Sequence, residues 1–205
     1  IDFKFTGLEN LSEYKMFVKA YDYVGNSEVY GIKAVTTDYV ARIIGRSNIP
    51  YSDESQWEKF ESVQDAIDAC ETMQCTIQIN PEVVNESVEI NSGQDITLDI
   101  DNKILTSGSN QTLKINENGK FTLIDNSQDH GGMITNTLSK AIVNNGIFTL
   151  GEGSSEQSTI LIIPDNYPVV DGAVIGLDNY GTFYFFDGLI KSSEGEGHSA
   201  AVDNN

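Results

Sequence analysis

Asn118-Gly119-Lys120-Phe121-Thr122-Leu123 and Asn145-Gly146-Ile147-Phe148-Thr149-Leu150 are near copies of one another, 27 residues apart. In each, an Asn-Gly pair precedes an apolar-x-apolar run, and the two-residue period of a strand sends both apolar side chains to one face. Upstream lies Ser92-Gly93-Gln94-Asp95-Ile96-Thr97-Leu98, and downstream Tyr180-Gly181-Thr182-Phe183-Tyr184-Phe185. Gly93, Gly119, Gly146 and Gly181 are thus separated by 26, 27 and 35 residues. Recurrence at roughly 20–50 residues marks a stacked array.

Each period holds two or three short strands; residues 96–100, 103–106 and 112–115 are one set. A single coil cannot bury the inward side chains of such strands, but stacked coils can. Leu98, Ile100, Leu113, Ile115, Phe121, Leu123, Phe148, Leu150, Phe183 and Phe185 are therefore expected to form continuous apolar rows. Glycine, with asparagine beside it, is expected to supply a left-handed or otherwise tight backbone at each corner. The longest interval predicts an inserted loop over residues 151–167. Ala201-Val202-Asp203-Asn204-Asn205 echoes Ile142-Val143-Asn144-Asn145, so the coils read as cut within a turn. The predicted class is all-β, a right-handed parallel β-helix (β-solenoid); an antiparallel sandwich is the rival architecture.

Upstream of the repeat, Ser62-Val63-Gln64-Asp65 opens a short helix with Ser62 as N-cap and Asp65 partly mimicking a capping box. Val63, Ala66, Ile67, Cys70 and Met73 share one helical face, which suits a cap over the open apolar end of a solenoid. Residues 39–60 read as a linker, with Asn48-Ile49-Pro50 as a breaker and Trp57 and Phe60 as apolar anchors. Residues 1–38 alternate as strands over 2–6, 14–20 and 29–36, with Gly25-Asn26 in the turn between the last two.

Leu8, Leu11, Tyr14, Val18 and Ala20, followed by Asp22 and Gly25-Asn26, resemble the last three strands of a fibronectin type III domain. The resemblance implies that Tyr14 makes a corner whose hydroxyl bonds the upstream backbone. Residues 61–205, led by Ile96-Thr97-Leu98-Asp99-Ile100-Asp101-Asn102-Lys103-Ile104-Leu105 behind the cap helix, resemble the pectin-lyase-like β-helix. That resemblance implies a stalk or adhesive segment of a large bacterial surface protein, secreted or held at the cell surface.

Charge narrows the function classes. Residues 1–50 hold six acids and six bases, leaving 25 of the chain's 31 acids and six of its 12 bases in residues 51–205. A net charge of −19 disfavours nucleic acid and anionic membranes. No apolar run approaches the roughly 20 residues of a membrane helix. The chain begins within a strand-like run and shows no signal peptide, as expected of a piece of something longer. Cys70 and Cys75 are compatible with a short-loop disulfide or with two buried thiols.

Chemistry is sparse. Enzymes of the β-helix class that cut acidic polysaccharides need converging carboxylates, or calcium with a basic residue. No arginine follows Arg46, and the two histidines, His130 and His198, sit among turn residues. Asp125-Asn126-Ser127-Gln128-Asp129-His130-Gly131-Gly132 has the composition of a turn as much as of a proton-transfer site. Asp99 and Asp101, two apart on one predicted strand, would face the same way and could bind calcium if neighbouring coils add oxygens. No cofactor is otherwise expected. If Phe183 and Phe185 point inward, Tyr184 and Phe186 point outward, and with Tyr167 and Tyr180 they make a candidate sugar-stacking surface. Tyr180, Tyr184 and Phe186 are the candidate ligand residues, with glycans or host and cell-surface proteins as partners. The expected role is non-catalytic, structural and adhesive. A carbohydrate-binding module and a polysaccharide-degrading enzyme are the alternatives.

Overall fold

Alternating apolar runs become strands in two separate units, Ile1–Tyr39 and Val40–Asn205, of the computed structural model. The structure describes residues 13–21, 23–35, 39–47, 49–129, 131–151, 168–192 and 200–205. In the first unit β1 (Glu13–Tyr21) and β2 (Ser27–Val35) pair antiparallel, Glu13 opposite Val35 and Tyr21 opposite Ser27. Gly25 carries the turn at φ +92°. The strand expected over residues 2–6 and the side chain of Tyr14 lie outside the described residues.

The second unit begins with strands where a linker was expected. β3 (Ala41–Arg46) pairs antiparallel with β4 (Ile49–Pro50) and β5 (Glu58–Phe60). Ala41 and Ile43 are buried and Arg42 alternates outward, so this stretch is part of a sheet. Phe60 packs on the core, while Trp57 lies under the Arg42 guanidinium at 3.8 Å. Helix α1 (Val63–Asp68) follows, and Ser62 Oγ accepts from Asp65 N at 3.0 Å as expected. The capping-box partner is not Asp65. Glu86 instead satisfies the first two helical amides, its carboxylate accepting from Val63 N and Gln64 N, both at 2.9 Å. Val63, Ala66, Ile67 and Cys70 are buried, whereas Met73 is exposed. Cys70 and Cys75 form a disulfide from the end of the helical turn to the next strand.

Five strand triplets then succeed one another. They are β6 (Gln74–Ile79), β7 (Val83–Asn85), β8 (Val88–Ile90); β9 (Asp95–Asp99), β10 (Ile104–Ser107), β11 (Gln111–Ile115); and β12 (Lys120–Ile124), β13 (Met133–Asn136), β14 (Lys140–Asn144). Then come β15 (Ile147–Leu150), β16 (Val169–Gly172), β17 (Ile175–Asn179); and β18 (Thr182–Phe185), β19 (Leu189–Ser192), β20 (Ala200–Asn204). Every strand pairs in parallel with the strand three places on, giving three sheets. The first is β6-β9-β12-β15-β18, with β3 antiparallel on β6; the second is β7-β10-β13-β16-β19; the third is β8-β11-β14-β17-β20. This all-β arrangement of parallel sheets is compatible with a β-solenoid, and it replaces the rival antiparallel sandwich.

Register puts like on like. Ile96, Phe121, Phe148 and Phe183 are successive partners, and the three phenyl rings stack at 6.1 and 5.3 Å between centroids. Leu98, Leu123 and Leu150 make the adjacent buried row. Phe185 continues that row opposite Leu150 yet is 54% exposed. Its strand is the last of its sheet among the described residues, so the expected burial of Phe185 fails for want of a neighbour on one side.

The glycines divide into two kinds. Gly119, Gly146 and Gly181 each immediately precede a first-sheet strand and are stacked; Gly119 O and Gly146 O accept from Ile147 N and Thr182 N. None has positive φ. A Cβ at Gly146 would collide with the Gly119 carbonyl oxygen and lie 2.5 Å from that of Asn116. Close backbone approach, not left-handed geometry, therefore requires these glycines. Gly93 is offset by one place: Gln94 stands where Gly119 stands, and Gly93 aligns with Asn118. Both of those are left-handed, at φ +85° and +62°.

Corner length explains an asparagine ladder. Ile90, Ile115, Asn144, Asn179 and Asn204 form one column in the third sheet. The two isoleucines precede four-residue corners that satisfy themselves, Gln94 N on Asn91 O and Gly119 N on Asn116 O. Asn144 and Asn179 precede two-residue corners, which lack that bond. Asn144 Oδ1 accepts from Gly146 N at 3.1 Å, Asn144 Nδ2 donates to Asn179 Oδ1 at 2.7 Å, and Asn179 Nδ2 donates to Asn204 Oδ1 at 2.7 Å. Polar groups so buried must be paired, and the ladder pairs them.

Candidate functional site

On the third sheet the outward positions are three residues apart instead of two. In β11 Gln111 and Lys114 are half-buried on the outside, while Thr112 and Leu113 between them are both buried. Lys140 and Val143 repeat the pattern in β14. A groove of about 560 Å³ lies over this outer face. Gln111, Lys114, Ser139, Lys140 and Asp178 line it, and Tyr180 stands at the corner after β17.

The groove's charges are organised. Lys140 Nζ pairs with Asp178 Oδ2, and Asn205 Nδ2 donates to Asp178 Oδ1 at 3.1 Å. Asp178 is buried while Lys140 is partly open. The hydrogen bond it donates to Asp178 raises the Lys140 ammonium above its ordinary pKa, with Tyr180 and Asp203 adding to the effect against partial burial. Lys114 lies 3.5 Å from Glu89 of the neighbouring strand.

The outward aromatics are exposed: Tyr180 is 54%, Tyr184 50% and Phe186 56% accessible. They do not form one surface on one sheet. Tyr184 pairs with Thr149 on the outside of the first sheet and ends a column of Thr76, Thr97, Thr122 and Thr149. Phe186 follows that strand, whereas Tyr180 lies beyond the third sheet and lines the groove there. Tyr167, His130, His198 and residues 152–167 of the expected insertion lie outside the described residues.

Of the two calcium candidates, Asp99 is engaged otherwise. Asp99 accepts from Gln78 Nε2 at 2.9 Å and from Asn126 N at 3.0 Å. Arg42 in turn holds Gln78, Nη2 to Oε1 at 2.8 Å. Asp125 accepts from Asn102 N, Ser127 N and Gly132 N at 3.2, 3.0 and 2.7 Å, closing a corner. Asp101 does not share a strand face with Asp99: the strand ends at Asp99, and Asp101 is left-handed at φ +47°. Burial raises the Asp101 pKa, and the nearby Asp99 adds to the rise. Among the described residues no group of three or more His, Cys, Asp or Glu is placed to hold a metal ion, and no helix is long and apolar enough to cross a membrane.

Sequence reasoning missed Gln111, Ser139, Lys140 and Asp178 as groove residues. Lys140 and Asp178 are 38 residues apart, and only the 35-residue step from one triplet to the next brings them together. No known family model, curated protein or solved structure matches the chain.

Proposed function

We propose that this chain is a non-catalytic structural and adhesive segment of an extracellular bacterial surface protein, its second unit a right-handed parallel β-helix with α1 as cap. The observation that carries the proposal is the use of the buried acids. Asp99, Asp125 and Asp178 are spent on holding corners and neighbouring strands, which leaves them poorly suited to acid–base work on a substrate. Stacked triplets give a rigid rod of the kind a display segment needs. The Cys70–Cys75 disulfide suits an oxidising compartment. The hairpin of β1 and β2 supports the end of a fibronectin type III domain ahead of the rod.

Incubation of the intact chain with pectate, alginate, hyaluronan and neutral plant glycans, with and without calcium, is expected to yield no new reducing ends and no unsaturated uronate. Product formation by the purified chain overturns the proposal. The aromatic-flanked groove favours one further reading, that adhesion includes carbohydrate binding.

A further inference from the structure

On that adhesive reading, we propose that the groove over the third sheet binds a neutral saccharide, with Tyr180 as the stacking plate and Lys140, held by Asp178, acting with Gln111 as the hydroxyl clamp. Sugar recognition needs an apolar ring for the C–H face of a pyranose and polar groups fixed in place for its hydroxyls. Tyr180 supplies the ring: half its surface is open, although its backbone N–H is anchored to Asn144 O at 2.8 Å. The same groove contains Gln111 and Ser139, an amide and a hydroxyl that each donate and accept.

Lys140 and its register partner Gln111 place a donor beside an acceptor. Vicinal hydroxyls of a pyranose present the complementary pair, one accepting from the ammonium and one donating to the amide oxygen. The clamp is preorganised. Asp178, buried and held by Asn205, fixes the Lys140 ammonium, so the donor does not need to be ordered when ligand arrives.

Charge selects the neutral ligand over an acidic one. The Lys140 ammonium faces its carboxylate partner, Lys114 lies beside Glu89, and the chain as a whole carries −19. A polyuronate would meet a repulsive field with little local compensation. A neutral glycan meets no such penalty.

The test is isothermal titration of the full chain with cellohexaose, xylohexaose, mannohexaose and galactohexaose, against oligogalacturonate and a hyaluronan hexasaccharide. At least one neutral hexasaccharide is expected to bind. Tyr180→Ala should weaken that binding by about tenfold or more, and Tyr180→Phe by less than about threefold. Tyr184→Ala and Phe186→Ala, on or beside the first sheet, should leave it unchanged, with unaltered melting curves confirming the fold of each variant. Binding of the acidic sugars alone, no neutral binding, or neutral binding indifferent to Tyr180→Ala overturns the groove assignment. If binding instead falls with Tyr184→Ala or Phe186→Ala, the adhesive reading stands and only the groove is wrong. Cleavage of any of these sugars sinks the non-catalytic reading itself.

Discussion

An added methyl group at Gly146 has nowhere to go, because the stacked carbonyl of Gly119 occupies its place. Gly146→Ala should therefore cost about 3 kcal/mol in urea unfolding, as overpacking against rigid backbone does. Gly93→Ala meets nothing closer than 3.9 Å and suffers only the left-handed backbone, about 1–2 kcal/mol. If the two variants are equally destabilised, the division of the glycines into two kinds is wrong. Asp101 gives a prediction of opposite sign. Its raised pKa means that the folded state holds the proton more tightly than the unfolded state. Stability from this group thus falls as pH rises from the unfolded value through the folded one, and the deficit is complete at neutral pH. Asp101→Asn removes the charge and suits the left-handed backbone, so it should stabilise at pH 7, by less than about 1 kcal/mol after solvent screening. The gain should vanish below about pH 3.5, the ordinary aspartate range. Sequence could show that glycines recur, but not that they recur for different reasons. Gly93 and Gly119 look alike in print because each lies just ahead of an apolar run, and only hydrogen-bond register separates them.

Helix α1 has six residues, too short to stand on its own hydrogen bonds. Packing of Val63, Ala66 and Ile67 holds one side, and Glu86 holds the N-terminal amides. Glu86→Ala should lower stability by about 2–3 kcal/mol through loss of two charge-assisted bonds, and Glu86→Gln by roughly half as much. An unchanged urea midpoint for Glu86→Ala would show that water replaces the carboxylate without loss. Ser62 was legible as the N-cap because the cap lies beside the helix it serves. Glu86 was not, since it reaches α1 from 23 residues away. The first-sheet strands were legible for a similar reason: Ile96-Thr97-Leu98 and Phe121-Thr122-Leu123 alternate cleanly. Residues 39–60 were not, because Asn48, Ile49 and Pro50 look like a breaker, while β3 gets its strand partner from β6, 29 to 38 residues on.

Each triplet touches mainly the triplets before and after it, so stability should vary along the stack. Hydrogen exchange is expected to be slowest in β9 and β12, which have strands on both sides, and fastest in β18, β19 and β20, where Phe185, Leu189 and Val202 remain exposed. Uniform protection across the five triplets would mean that the unit opens as one body. The outward turn of Tyr184 was readable from alternation alone. The separation of Tyr180 from it was not, because Tyr180 belongs to a corner, and corners have no period to read. The direction of the interstrand bonds has a mechanical consequence. They run along the stacking direction, at right angles to the strands. Tension applied between residues 40 and 205 would load them one rung at a time, as a zipper, instead of shearing many together. Parallel sheets loaded this way yield at low force in successive steps, the third-sheet corners at Asn144 and Asn179 marking two of the teeth. A force–extension trace should then show a staircase with increments of 21 to 35 residues, the spacings between successive first-sheet strands. A stack that opens in this order would dissipate a pull in small portions instead of failing at once.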